Sequence, residues 1–156
     1  MRSANQWLVL GGFVVVRFAA AALGGVTTAG SVRDWYPTLV KPAWNPPAWI
    51  FGPVWTVLYL AMAVAAWLVW RRVGWGAALV WFALQLALNA TWSPVFFGMH
   101  QIGLALVNIV LLWLAIAGTM VAFWKVTPVA GWLFVPYLAW VSFATALNFV
   151  LWRLNR

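Results

Sequence analysis

The chain has 156 residues, 67% of them hydrophobic and 6% charged, with a net charge of +8 from nine Lys and Arg against one acid, Asp34. Globular chains run at about 45–50% apolar and about 25% charged, so this composition excludes a water-soluble domain and makes lipid the solvent. The absence of cysteine removes disulfides, thiolate metal sites and thiol nucleophiles.

A membrane-spanning helix needs about 20 predominantly apolar residues. Five stretches qualify, roughly 7–26, 48–70, 75–97, 102–124 and 128–152, and they predict an all-α membrane protein. The expected domain is a single bundle of five transmembrane helices covering 1–156, with a long structured loop between the first two. The first stretch mimics a signal peptide, with Arg2, an apolar run and the small residues from Ala19 to Gly25. It runs past cleavable length and holds Arg17, so it is read as a helix. Arg17 is the one charge inside a span, and two readings of it stand. Its side chain snorkels to an interface, or it is a counter-charge for an anionic ligand.

The connection from Thr27 to Pro47 is rich in aromatics and proline, which predicts a packed loop. Asn45 before Pro46-Pro47 has the form of a helix start, an Asx N-cap followed by proline where no amide hydrogen is missed. The other gaps are tight: Arg71 to Gly74, Gly98 to Gln101 and Lys125 to Thr127. Neighbouring helices are therefore expected to run antiparallel and touch. Pro53, Pro94 and Pro136 fall inside the spans, where each removes a backbone bond and tends to kink the helix. In lipid the freed carbonyls need partners, so these sites are expected to face other helices or a cavity.

The remaining basic residues gather at span ends, as headgroup anchors do, which speaks against nucleic-acid binding. Arg2, Arg71, Arg72 and Lys125 fall on one face, and Arg33, Lys41, Arg153 and Arg156 on the other. That even division leaves insertion direction open.

No Asp or Glu lies in a span, which removes paired-carboxylate catalysis and carboxylate proton relays. A lone histidine, His100, makes no metal site. A serine triad lacks its carboxylate. Ordinary enzyme catalysis is not expected. The positive signal is fifteen tryptophans. An interfacial aromatic belt accounts for Trp7, Trp70, Trp75, Trp124, Trp132 and Trp152. It does not account for Trp113 and Trp140 near mid-span, and it covers Trp55, Trp81 and Trp92 poorly. Gln85, Asn89 and Trp92 share one stripe of the third helix. Trp140, Ala144 and Asn148 share one of the fifth, and Asn108 sits inside the fourth. Two readings remain: interhelical hydrogen bonds, or a mostly apolar pocket with flat walls and a few polar orienters. Small residues at four-residue spacing, Ala83 with Ala87 and Gly118 with Ala122, allow close helix contact within the chain or between subunits.

These residues resemble the signature of the tryptophan-rich sensory protein family, also called the translocator protein or peripheral benzodiazepine receptor family (TspO/MBR). The blocks are Trp35-Tyr36, the run from Lys41 to Trp49, Gly52-Pro53-Val54-Trp55 and Leu58-Tyr59. Further along come Gln85 to Asn89, Trp92 to Gly98, Pro136 to Trp140, Phe143 to Asn148 and Trp152-Arg153. The resemblance implies a five-helix receptor or sensor whose first loop folds over a pocket. It implies protoporphyrin IX and haem as ligands rather than obligatory cofactors, benzodiazepine-type synthetic ligands, and a homodimer through the third helix, with Ala83 and Ala87 at the contact. Family pocket positions correspond to Trp44, Trp49, Trp55, Asn89, Trp92, Trp140, Ala144 and Leu147. Tyr36, Lys41 and Asn148 are candidate donors to porphyrin propionates. Some members are linked to light-dependent porphyrin breakdown, which would use Trp35 and Trp140. Transport of the ligand is a further alternative. Phe149 replaces the tyrosine of the animal sterol-recognition segment, and Leu104 replaces an aromatic that some members place against ligand.

Overall fold

The computed structural model describes residues 2–156, with side chains from Asn5 onward except at 23, 24 and 27. Arg2, assigned above to one face, therefore has its side chain outside the described residues. Five long helices form the protein: α1 (Arg2–Asp34), α2 (Phe51–Val73), α3 (Ala77–Ser93), α4 (Ile102–Val126) and α5 (Pro128–Leu154). Each carries a segment long and apolar enough to cross a membrane. The protein is thus an integral, multi-pass membrane protein. The main packing partners run α1–α2–α5–α4–α3 and back to α1, which closes the bundle into a ring.

α3 falls inside its expected bounds and α2 is shifted by three residues, but α4, α5 and above all α1 exceed theirs. α1 continues eight residues past 26, so the loop expected from Thr27 begins only at Trp35. Nothing in 27–34 breaks a helix: the segment has no proline and only one glycine. Asn45 caps no helix. Its side-chain carbonyl accepts the Tyr36 hydroxyl at 2.8 Å, and a short 3₁₀ turn, Ala48–Ile50, leads into α2 instead. Arg71, Arg72 and Val73 remain helical, and α2 ends on Gly74 at φ +69, the left-handed conformation that glycine adopts without a Cβ penalty. Between α4 and α5 a single extended residue, Thr127, suffices, followed by Pro128 at the first helical position.

The three prolines diverge. Pro53 is the third residue of α2, inside the first turn, where no intrahelical bond is lost. Pro136 lies inside α5 but is exposed on its outer side, near the helix start rather than on a cavity. Only Pro94 behaves as expected. It opens a wide π-type turn, Pro94–Gly98, closed by the Met99 N–H on the Pro94 carbonyl at 2.9 Å. It also leaves Ala90, four residues back, without its usual donor, and Ala90 lines a cavity.

Packing follows the rule for helices in lipid, where close approach rather than hydrophobicity drives association. Ala63, Ala65, Ala66, Ala105, Ala115 and Ala130 are buried, while many large apolar side chains face outward. At three places an indole lies on a glycine: Trp81 on Gly118, Trp124 on Gly131 and Trp152 on Gly103. Phe82, Phe123 and Phe134 form the aromatic centre between α3, α4 and α5.

Candidate functional site

One end of the bundle gathers the C-terminus of α1, the loop 35–50, the turn 94–101 and the C-terminus of α5. Apolar packing of Trp35, Tyr36 and Leu39 on Phe96, Leu147 and Leu151 holds it, together with polar and stacking contacts. Asn155 pairs with the backbone of Val40 at both its N–H and its carbonyl, each at 2.9 Å. The Lys41 ammonium donates to the carbonyls of Pro37 and Leu39, both at 3.1 Å. The His100 ring stacks on Trp35 with centroids 4.1 Å apart, and its Nε2 lies 3.1 Å from the Ser31 hydroxyl.

Beneath this end lies a cavity of about 400 Å³, within the range of small-molecule sites. Ala20, Ala21, Gly25, Thr28 and Val32 line it from α1, a stripe of mostly small side chains. Tyr36 and Ala48 contribute from the loop, and Phe51, Gly52, Trp55 and Tyr59 from α2. Opposite stand Asn89, Trp92, Phe96 and Phe97, with Trp140, Ala144, Leu147 and Asn148 from α5. The walls are flat: Trp92 stacks on Phe96 at 5.0 Å, Trp55 meets Tyr59 at 5.3 Å, and Phe51 meets Trp140 edge-on at 5.8 Å.

Of the residues expected at a pocket, Tyr36, Trp55, Asn89, Trp92, Trp140, Ala144, Leu147 and Asn148 line this cavity. Trp35, Trp44 and Trp49 do not. Trp49 is 73% exposed, because the 3₁₀ turn points its neighbour Ala48 inward and swings the next side chain about a third of a turn away. Trp44 is 48% exposed and touches Phe143 by its edge. Trp35 turns toward His100 and meets Phe96 from behind the wall. Leu104 is exposed on α4, away from the cavity.

The polar side chains of the spans bond across helices. The Trp92 indole donates to Asn148 at 3.1 Å, and Asn148 donates to the Ile102 carbonyl at 3.0 Å. Asn89 donates to the Tyr137 hydroxyl at 3.0 Å, which donates to Gln85 at 3.1 Å, while the Tyr59 hydroxyl reaches Asn89 at 3.5 Å. Trp113 is accounted for by Ser142 at 2.8 Å, and Asn108 by Thr91 at 2.9 Å. The donors expected for propionates are thus already engaged. Asn148 and Lys41 are bonded as described, and Tyr36 donates to Asn45. Burial pushes the Tyr36 phenol above its ordinary pKa against the opposing effect of that bond. Among the described residues no group of His, Cys, Asp and Glu approaches a metal site.

Arg17 does not snorkel. It is 1% exposed at mid-bundle, with one nitrogen on the Met62 sulfur and its guanidinium carbon 4.9 Å from the Tyr59 ring centre. The structure brings in residues that the sequence did not single out for a pocket, the α1 stripe, Tyr59 and Phe96, with Tyr137 beneath them bonded to the lining residue Asn89. The small residues of α1 at helical spacing were a readable signal. Their inward direction was not.

A ring of five spanning helices around an aromatic-walled cavity defines a class of small polytopic membrane proteins. The sequence profile of the TspO/MBR family matches residues 13–153, and the chain belongs to that family. It is 48% identical over 138 residues to the tryptophan-rich sensory protein of Cereibacter sphaeroides, covering 86% of this chain and 87% of that one. It is 43% identical over 157 residues to the translocator protein of Homo sapiens, covering 97% and 93%. It is also 38% identical over 144 residues to the tryptophan-rich protein TspO of Archaeoglobus fulgidus, covering 91% and 94%.

Proposed function

We propose that the protein is a membrane receptor or sensor that binds tetrapyrroles, with protoporphyrin IX or haem seated in the cavity beneath the first loop. The observation that carries the reading is the cavity wall itself. Trp55, Trp92, Phe96 and Trp140 offer flat aromatic faces around a largely apolar space. Such faces stack on a rigid planar ligand with little loss of side-chain entropy. The names of the relatives, sensory and translocator, support a role in detecting or handling a small molecule. The spans carry no carboxylate that would couple movement to protons, which favours sensing over active transport.

The test is titration of the detergent-purified protein with protoporphyrin IX in the dark, following tryptophan fluorescence. Saturable quenching is expected, weakened in Trp140→Phe and abolished or shifted by roughly tenfold in Ala144→Phe, whose ring occupies the cavity. Linear quenching in all three proteins would mean partition into the micelle and would sink the reading. Light-driven porphyrin breakdown is a second reading, favoured by the position of Trp140 in the wall. It requires that porphyrin loss under illumination fall in Trp140→Phe. Trp35, one ring removed behind Phe96, is expected to matter less.

A further inference from the structure

On α1, α2, α3 and α5 the wall residues farthest from the loop are Ala20, Tyr59, Asn89 and Trp140, with Leu112 of α4 at the same end of the cavity. One helical turn deeper on three of these helices stand Arg17, Gln85 and Tyr137, all buried. The layer has an unusual balance. Arg17 Nε and Nη1 and Gln85 Nε2 are buried without hydrogen-bond partners. All three are donors. The Tyr137 hydroxyl is already shared by Asn89 and Gln85. The one acidic side chain, Asp34, lies at the far end of α1, seventeen positions along from Arg17 (34 − 17). An unpaired cation in a bundle interior is costly and marks a functional site by default. What this layer lacks, among the described residues, is a negatively charged acceptor: the guanidinium meets the Met62 sulfur, the Tyr137 hydroxyl and the rings of Tyr59 and Phe82 instead.

We propose that Arg17 and Gln85 form an acid-end subsite: a hydrophobic ligand enters the cavity with a carboxylate leading, and that carboxylate accepts from Arg17 and the Gln85 amide. Tyr59 is the gate. Its ring lies against the guanidinium on one side and lines the cavity on the other, so this one side chain stands between the cavity and Arg17 and must turn aside for a carboxylate to reach it. The proposal rests on the cavity being the ligand site and adds the chemistry and direction of its occupant. A carboxylate on a hydrophobic body is offered equally by a porphyrin propionate and by a fatty acid.

The experiment compares two pairs of probes on the full-length protein in detergent, protoporphyrin IX with its dimethyl ester and palmitic acid with methyl palmitate. Porphyrins are followed by tryptophan quenching and the palmitoyl pair by competition. The acid of at least one pair should bind roughly tenfold or more tightly than its ester, as a charge-assisted bond to a buried cation implies. The pair that shows the preference identifies the source of the carboxylate. Arg17→Met should bring acid and ester to equal affinity, Gln85→Leu should narrow the gap, and Arg17→Lys should retain part of it. Saturable but equal binding of acid and ester in the wild type overturns the subsite and leaves the cavity reading standing, whether or not a variant folds. A preference that persists in Arg17→Met also overturns it. Saturation by no probe overturns the cavity reading and the subsite together.

Discussion

Asn148 shows how a polar side chain is used in this bundle. Its carbonyl accepts the Trp92 indole and its amide reaches the Ile102 carbonyl, so one residue joins α3, α4 and α5 beside the cavity. Hydrogen bonds between helices in lipid are worth about 0.6–2 kcal/mol each, enough to set the rotation of a helix whose apolar faces are otherwise interchangeable. Glycines act at the same scale. A Cβ on Gly131 would stand 2.5 Å from the Trp124 ring and 3.0 Å from its Cβ, so the whole side chain must move. A Cβ on Gly118 would meet only the ring edge of Trp81, at 2.8 Å, and that indole is partly exposed and can swing outward. Gly131→Ala is therefore expected to destabilise by about 1–3 kcal/mol, and Gly118→Ala by less. Thermal unfolding in detergent checks the order, and the reverse order would show that Trp124 yields more easily than its contacts imply.

At the scale of elements, the loop 35–50 packs on α5 through Leu39 and Trp44, and among the described residues the clamp of Asn155 on Val40 adds hydrogen bonds at the end of that helix. Removing it in Asn155→Ala forfeits two bonds of about 0.5–1.5 kcal/mol each. The amide of Val40 should then exchange roughly tenfold faster or more, while amides within α2 and α5 keep their protection. Unchanged exchange at Val40 would mean that Lys41 and the Trp35–His100 stack hold the loop without it. The elements also separate what sequence made legible. Tight gaps and apolar length predicted four of the five spans to within a few residues. The extent of α1 was missed because the polar segment 27–34 resembles a loop by composition while containing nothing that stops a helix.

For the whole molecule, the outer face of α3 is the surface on which a second copy is expected. Ala83 and Ala87 are exposed there, flanked by the exposed Val80, Leu84 and Thr91. Small residues at this spacing permit close helix approach. Ala83→Leu with Ala87→Leu should convert a dimer to a monomer in light scattering of the detergent complex, with the tetrapyrrole titration unchanged because neither residue lines the cavity. A dimer that survives both substitutions would place the contact elsewhere.

The sequence by itself determined the solvent, the number of spans, the family and most of the aromatic wall. Those depend on composition, on lengths set by bilayer thickness and on ordered motifs. Tertiary structure alone decided which face of each helix turns inward. It placed Trp140 in the wall and Trp49 outside it, and it buried Arg17 against Tyr59. In water an apolar stripe marks the core face of a helix. In lipid both faces are apolar, so periodicity loses that information, and the inward face is chosen by small residues, hydrogen-bond partners and the shapes of neighbouring helices.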